Sequence, residues 1–216
     1  MRKKILGLVL AFMVTAVAVP ASANEVFDNG VGGAAFIDEA FRSDSDPGDF
    51  LMADDFVLAT SETITTVEWS GLYAFNNSAP AVDDFIINIY GDGGGIPIGG
   101  PLATFNVGDA VNRELSGSQI FGFDIYEYSA DINFAATAGT TYWLNIDGHT
   151  IFDPDDDWHW GVIQFAGNSY GSIDQGASWA TWGNQHDFRL ISKVPEPSAA
   201  LLLGLVSAVA FVRRKK

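Results

Sequence analysis

Apolar and polar residues alternate with a period of two along most of the chain between residues 53 and 191. In residues 85–90, Phe85, Ile87 and Ile89 share one face and the other face is also largely apolar, which predicts a central strand. Similar alternation, rich in β-branched and aromatic residues, predicts strands at 53–58, 63–73, 101–107, 121–128, 142–147, 158–165 and 187–191. Glycine, proline and polar residues separate these segments.

The number and spacing of these strands predict the fold class. We count eight to ten short strands and no convincing long helix between them, which predicts an all-β fold, an antiparallel β-sandwich of jelly-roll type. No repeat of fixed period is visible, which weighs against a solenoid or a propeller. Trp69 and Trp143 fall within predicted strands, and we expect both in the core.

Residues 1–23 have the layout of a signal peptide. Three basic residues follow Met1, residues 5–19 are apolar, and Ala21 and Ala23 occupy the small-residue positions of a cleavage site. This predicts an N-terminal signal helix that the export machinery recognises and signal peptidase removes after Ala23. Residues 24–193 then remain as one β-sandwich domain of ordinary size.

Residues 194–216 combine three features in order. Pro195, Glu196 and Pro197 form a stiff, non-helical segment, residues 198–212 are uncharged and apolar, and residues 213–216 are basic. The apolar run would extend roughly 22 Å as a helix, against about 30 Å of bilayer hydrocarbon. This predicts a short C-terminal transmembrane helix with its basic end in the cytoplasm. The plain alternative is a permanent C-terminal membrane anchor.

This tail resembles the PEP-CTERM sorting signal of exported bacterial proteins, and the resemblance covers residues 194–216. It implies transient anchoring in the inner membrane, processing by an exosortase-like membrane protease, and delivery to the cell envelope or extracellular matrix. Residues 53–58, 64–71, 85–90 and 138–144 resemble the uncharacterised β-sandwich domain that such proteins often carry. That second resemblance implies the fold and brings no catalytic residues.

The charge of the predicted mature domain restricts its partners. Of 11 Lys and Arg, seven lie in the two ends, and of 27 Asp and Glu only Glu196 does, so residues 24–193 carry four positive and 26 negative charges, a net of −22. Such a surface repels nucleic acid and suits divalent cations or solubility outside the cell. Cysteine is absent, which excludes disulfides and thiolate chemistry.

Two aspartate-rich loops are candidate sites for Ca2+, which prefers carboxylate, carbonyl and water oxygens. The candidate ligands are Asp44, Asp46 and Asp49 in one loop, and Asp153, Asp155 and Asp157 in the other. Neither loop has the glycine and glutamate register of an EF-hand. The alternative for each loop is a solvated acidic surface.

Four tryptophans in or beside the late loops are candidates for stacking on sugar rings: Trp158, Trp160, Trp179 and Trp182. The alternative is that they fill the end of the sandwich core, because aromatic side chains dominate core burial.

The sequence contains no catalytic motif from which an active site can be assigned. It has neither a nucleophile elbow nor a His-Glu-x-x-His motif, and we predict no catalytic residues. The expectation is therefore a non-enzymatic exported protein with a structural or adhesive role and a polysaccharide partner. The alternatives are a secreted glycan-active enzyme that uses paired carboxylates, or a permanently anchored surface protein.

Overall fold

The computed structural model describes residues 23–30, 39–45, 50–74, 79–149, 157–164 and 166–193. These residues belong to one compact unit, Ala23–Lys193. The predicted signal helix and the predicted C-terminal transmembrane helix lie outside the described residues. Within the described ranges, no helix has the length and hydropathy that a membrane span needs.

The first of two antiparallel sheets contains eight of the described strands, which are β1 (Ala23–Asp28), β2 (Glu39–Arg42), β4 (Glu62–Tyr73), β7 (Asn112–Ile120), β8 (Phe123–Ala136), β10 (Trp158–Gln164), β13 (Gln185–His186) and β14 (Phe188–Lys193). Its central strand is β4, which pairs with β8 along one edge and with β14 and then β10 along the other. β7 pairs with β8, β1 with β14, and both β2 and β13 with β10.

The second antiparallel sheet contains six of the described strands, in the spatial order β12 (Ala180–Thr181), β11 (Tyr170–Ser172), β3 (Leu51–Val57), β9 (Thr141–Gly148), β5 (Phe85–Asp92) and β6 (Pro97–Gly108). β5 lies between β9 and β6, which confirms the central position that its two apolar faces predict. The prediction of an all-β fold with antiparallel sheets is likewise confirmed.

One hydrophobic core joins side chains from both sheets in a sandwich-like arrangement. Phe85 of the second sheet makes an edge contact with Trp69 of the first sheet at a ring separation of 5.4 Å, and Trp69 stacks on Tyr128 at 5.5 Å. Trp69 is therefore a core residue, as predicted. Trp143 is also buried, but it packs with Ala53 and Tyr90 in a separate cluster on the outer face of the second sheet.

The hairpin of β7 and β8 departs from the sequence prediction. Residues 108–118 are polar and predict a loop, yet most of β7 lies there as a strand that pairs only with β8 in the described part of the chain. Phe121 and Gly122 form its turn with φ angles of 51° and 87°. Because a largely exposed strand has no apolar alternation, its existence depends on pairing that the local sequence does not indicate.

Candidate functional site

The structure describes two of the six predicted calcium ligands, Asp44 and Asp157. Asp44 is buried, and its Oδ2 accepts a hydrogen bond of 3.4 Å from the backbone N–H of Trp158. Asp157 forms an ion pair of 3.1 Å with Arg42. Both carboxylates thus have partners within the fold. The other four predicted ligands lie outside the described residues: Asp46, Asp49, Asp153 and Asp155.

The described ends of the two aspartate-rich loops lie beside each other. The Ser43 N–H donates to the Trp158 carbonyl at 3.1 Å, and the Gly148 N–H donates to the Ser43 carbonyl at 2.9 Å. The Ser45 N–H donates to Asp147 Oδ1 at 2.9 Å. The fold therefore brings together the described ends of two loops that the sequence presents as separate. Among the described residues, no group of three or more His, Asp or Glu is arranged to hold a metal.

Trp158 and Trp160 cannot stack on sugar rings, because both side chains are 0% exposed. Trp158 packs edge-on against Phe85 at 5.1 Å, and Trp160 stacks on His186 at 4.6 Å. Their assignment as ligand-binding residues is therefore wrong, and core filling is the correct interpretation. The signal was present in the sequence, since they share one face of β10 with the buried Val162.

Trp179 and Trp182 lie closer to solvent. Trp179 is half-buried and packs edge-on against Tyr90 at 5.3 Å. Trp182 is 43% exposed and makes edge contacts with Phe41 at 5.8 Å and Phe50 at 5.4 Å. Of the four candidate tryptophans, Trp182 keeps the most accessible ring.

Trp182 lines an open cleft of about 370 Å³, called here the Trp182 cleft. The other lining residues are Ala40, Phe41, Arg42, Phe50 and His159. Arg42 and His159 face each other across the pairing of β2 with β10. Arg42 brings guanidinium N–H groups to the cleft, and the Nδ1–H of His159 donates to the Asp157 carbonyl at 3.1 Å. Burial lowers the pKa of His159, which keeps its imidazole neutral at neutral pH.

A second cleft of about 330 Å³ lies on the outer face of the second sheet and was not predicted from the sequence. This Asp55 cleft is lined by side chains that include Asp55, Asp92, Trp143, Asn168 and Tyr170. Trp143 contacts Tyr170 edge-on at 5.2 Å, and its Nε1 donates a hydrogen bond of 3.0 Å to Asp92 Oδ1. The tryptophan and Asp92 therefore hold each other in place.

The pKa values of the two carboxylates in the Asp55 cleft are shifted in opposite directions. Burial raises the pKa of Asp55; the negative charge of Asp92 adds to this effect, and a hydrogen bond from Asn168 opposes it. At Asp92, burial is outweighed by hydrogen bonds from Trp143 and from two backbone N–H groups of the following turn, so its pKa is lowered. Asp92 therefore stays ionised at neutral pH, while ionisation of Asp55 beside it is disfavoured.

The residues of the predicted sorting and cleavage sites fall mostly outside the described ranges: Ala21, Pro195, Glu196 and Pro197. Ala23 is the first residue of β1 and pairs with Lys193. No family model, curated protein or solved structure matches this chain. The two clefts and the sequence features therefore carry the functional inference.

Proposed function

We propose that this protein is exported, is sorted through its PEP-CTERM-like tail, and binds polysaccharide as a structural or adhesive component of the cell envelope or extracellular matrix. Its partners during export are the export machinery, signal peptidase and an exosortase-like membrane protease. The signal layout of residues 1–23 and the three-part tail at 194–216 support this route. A jelly-roll arrangement of the sandwich is part of the same proposal.

The Trp182 cleft is the observation that supports polysaccharide binding. An apolar C–H face of a sugar ring gains free energy when it leaves water and packs on an aromatic ring. Trp182 offers such a ring between Phe41 and Phe50, and Arg42 offers hydrogen-bond donors for hydroxyl groups. A concave site with aromatic walls and a few polar groups is the usual form of a small-ligand site.

Charge supports the polysaccharide over other extended partners. The net charge of −22 on residues 24–193 repels nucleic acid and anionic lipid, which proteins bind through basic side chains. Binding of neutral, hydroxyl-rich glycans does not require basic side chains. Ca2+ bound by the aspartate-rich loops is a further part of the proposal, because their described ends meet at Ser43 and Trp158.

The test is binding of the mature domain to insoluble and soluble polysaccharides, measured by sedimentation and by titration calorimetry. We expect Trp182→Ala to weaken binding by about tenfold or more, which corresponds to about 1.4 kcal/mol. The matched control is Ile173→Ala, which removes a side chain that is 74% exposed and not part of the cleft. Equal affinity of the Trp182 variant and the parent for every glycan that binds would contradict the role of the cleft.

The same incubations separate the binding protein from the glycan-active enzyme. Binding without shortening of the chains supports the proposal, whereas new reducing ends indicate glycoside hydrolysis. The permanently anchored alternative is tested by mass spectrometry of membrane, envelope and medium fractions. Loss of residues 198–216 from the accumulated protein supports sorting, and an intact basic end indicates a lasting anchor.

A further inference from the structure

The Asp55 cleft is a formed concavity that the proposed polysaccharide site does not use. β3 contributes Asp55, β5 contributes Asp92 and β9 contributes Trp143, while Asn168 and Tyr170 come from the chain that precedes and forms β11. Its volume of about 330 Å³ fits one or two sugar-sized units. The Trp182 cleft shares none of these residues.

The lining of the Asp55 cleft is preorganised. Trp143 is buried, fixed by its hydrogen bond to Asp92 and by its edge contact with Tyr170. Asp92 accepts further hydrogen bonds from the backbone N–H groups of Gly94 at 3.0 Å and Gly95 at 2.9 Å. A ligand would therefore meet the rigid carboxylate of Asp92 and the ring of Tyr170, which the buried Trp143 supports, and rigid sites lose less conformational entropy on binding.

The charge of the cleft is not balanced by the protein. No Arg, Lys or His is among the described residues that line it. All three arginines between residues 24 and 193 are ion-paired with acids elsewhere, at distances of 3.1, 2.8 and 3.1 Å. Two carboxylates that share a cleft without a cation attract a cationic group and repel an anionic one, and low-dielectric walls strengthen the effect.

The remaining polar groups indicate the rest of the ligand. Asn168 is exposed; its amide N–H donates to Asp55 and its amide oxygen is an acceptor, and Thr141 and Thr181 contribute hydroxyls. Tyr170 offers an aromatic ring, against which an ammonium group or the C–H face of a sugar gains further free energy. Neutral hydroxyls and one positive charge are the groups that this lining complements.

We propose that the Asp55 cleft is a second binding site, for a small hydroxylated ligand that carries an ammonium group, such as a glucosamine unit. Asp55, which also accepts a hydrogen bond from Asn168, contacts the ammonium, because the oxygens of Asp92 already accept three hydrogen bonds, from Trp143 and the following turn. The nearby ammonium favours the ionised form of Asp55. Asp92 supplies fixed negative charge, and Asn168 and the threonines bind hydroxyls. Uronate and sulfated sugars are excluded by repulsion.

The experiment is titration calorimetry of the mature domain with glucosamine oligomers of two and three units, at physiological ionic strength. The comparison ligands are the N-acetylated oligomers of the same length, which keep the hydroxyls and lack the ammonium. We expect the glucosamine oligomers to bind at least about tenfold more tightly. Equal affinity for both series, or binding of neither, overturns the proposal.

Two pairs of variants distinguish a site from general attraction to an acidic protein. Asp55→Asn removes one negative charge in the cleft, and Glu25→Gln removes one from the exposed part of β1. Asn168→Lys places a cation in the cleft, and Asn112→Lys places one on exposed β7. We expect about tenfold losses for Asp55→Asn and Asn168→Lys, and changes below about twofold for the controls.

Melting temperatures verify that each variant is folded, and Asn168→Lys decides the question if Asp55→Asn fails to fold, because Asn168 is exposed. Equal losses in a variant and its control mean that net charge alone governs binding, which overturns the site. The N-acetylated oligomers lack the ammonium, so any binding they show belongs to the Trp182 cleft. The two sites can therefore be tested separately.

Discussion

Ala23 and Lys193, the first and last residues of the compact unit, are direct partners in the antiparallel pairing of β1 with β14. β14 is thereby held between β1 on one edge and β4 on the other. The predicted signal peptide and the predicted sorting tail consequently attach at neighbouring points of the folded unit. Cleavage after Ala23 would remove one residue from β1 and leave the pairing from Asn24 onward.

The first prediction concerns the contribution of β1 to stability. Phe27 of β1 stacks on Phe188 of β14 at 5.4 Å and contacts Phe56 of the second sheet at 6.0 Å. We expect Phe27→Ala to lower the free energy of unfolding by about 2 kcal/mol, because it removes partly buried aromatic surface from this junction. Chemical denaturation measures the loss. Ile173→Ala is the control, and equal losses in the two variants would show that β1 is not important for stability.

The second prediction concerns Asp54 on β3, whose pKa burial raises to about 8, against hydrogen bonds from the backbone of His186 and Asp55. Its Oδ2 accepts hydrogen bonds from the His186 N–H at 2.6 Å and from Asn29 Nδ2 at 3.0 Å. Because the pKa of Asp54 is higher in the folded state than its unfolded value of 3.8, Asp54 stabilises the fold fully below pH 3.8. This stabilisation is lost as the pH rises through about 8. The parent should therefore become less stable between pH 6.5 and pH 8.

We expect Asp54→Asn to remove this decline, whatever its effect on absolute stability. One proton corresponds to about 1.36 kcal/mol per pH unit, so the decline is at most about 2 kcal/mol over that interval. Urea denaturation at both pH values gives the two slopes. Glu25→Gln should keep the parental slope, and an unchanged slope in Asp54→Asn would contradict the assignment of the titrating group.

The third prediction concerns His186, whose pKa burial lowers to about 3, with the backbone of Gly161 and Trp160 partly offsetting the effect. Because the pKa of His186 is lower in the folded state than its unfolded value of 6.5, the neutral imidazole stabilises the fold fully above pH 6.5. This stabilisation is lost as the pH falls toward 3. His186→Phe keeps an aromatic ring on Trp160 and cannot take up a proton. When the pH falls from 6.5 to 4, the free energy of unfolding should decrease by up to about 3 kcal/mol less in the variant than in the parent.

Ile173→Ala checks this assignment, since that variant changes an exposed side chain and leaves His186 in the core. Its loss of unfolding free energy on acidification should equal that of the parent. If His186→Phe and the parent lose equal free energy of unfolding on acidification, protonation of His186 is not the cause of acid sensitivity.

The fourth prediction concerns the turn of Phe121 and Gly122. Ile120 pairs with Phe123, so the hairpin has a two-residue loop, and both loop residues have positive φ, as a type I′ turn requires. Phe121 is 79% exposed and is a poor residue for the left-handed region, where Asn is tolerated. We expect Phe121→Asn to raise the free energy of unfolding by about 0.5–1 kcal/mol. Phe121→Leu is the control and should show no gain in melting temperature.

Local alternation was sufficient to predict the buried strands but not the clefts. Phe85, Ile87 and Ile89 reveal β5 because the side-chain period of a strand is visible within six residues. Asp55 and Asp92 share a cleft because β9 lies between their strands, and strand order in a sheet is set by tertiary packing. No local pattern brings them together.

The same reasoning explains why the tryptophans were difficult to sort from the sequence. Trp158 and Trp160 follow an acidic loop and resemble loop aromatics, although Val162 continues their buried face. Trp182 directly follows β12, which is at the edge of the second sheet, and therefore stays exposed. Its contacts, Phe41 and Phe50, are distant from it in sequence. Its exposure therefore depends on the fold rather than on its neighbours in the chain.

The last prediction is calcium-linked stability. The net charge of −22 on residues 24–193 and the contact between the described ends of the two aspartate-rich loops motivate it. A ligand that binds only the folded state stabilises it by about 2.7 kcal/mol at a hundredfold excess over Kd. Each kcal/mol moves the melting temperature of a domain of this size by roughly 2–4 °C. Millimolar Ca2+ should therefore raise the melting temperature by several degrees more than Na+ at matched ionic strength.

The variant for this test must leave Asp157 intact, because its ion pair with Arg42 stabilises the fold without any metal. We choose Asp46→Asn with Asp155→Asn, one from each loop. The control is Glu25→Gln with Asp109→Asn, which removes the same charge from exposed positions. The loop variant should lose the calcium-specific rise and keep the response to Na+, since screening acts on the whole surface. If Na+ stabilises the parent as much as Ca2+, or both double variants keep the calcium response, the two loops form a solvated acidic surface.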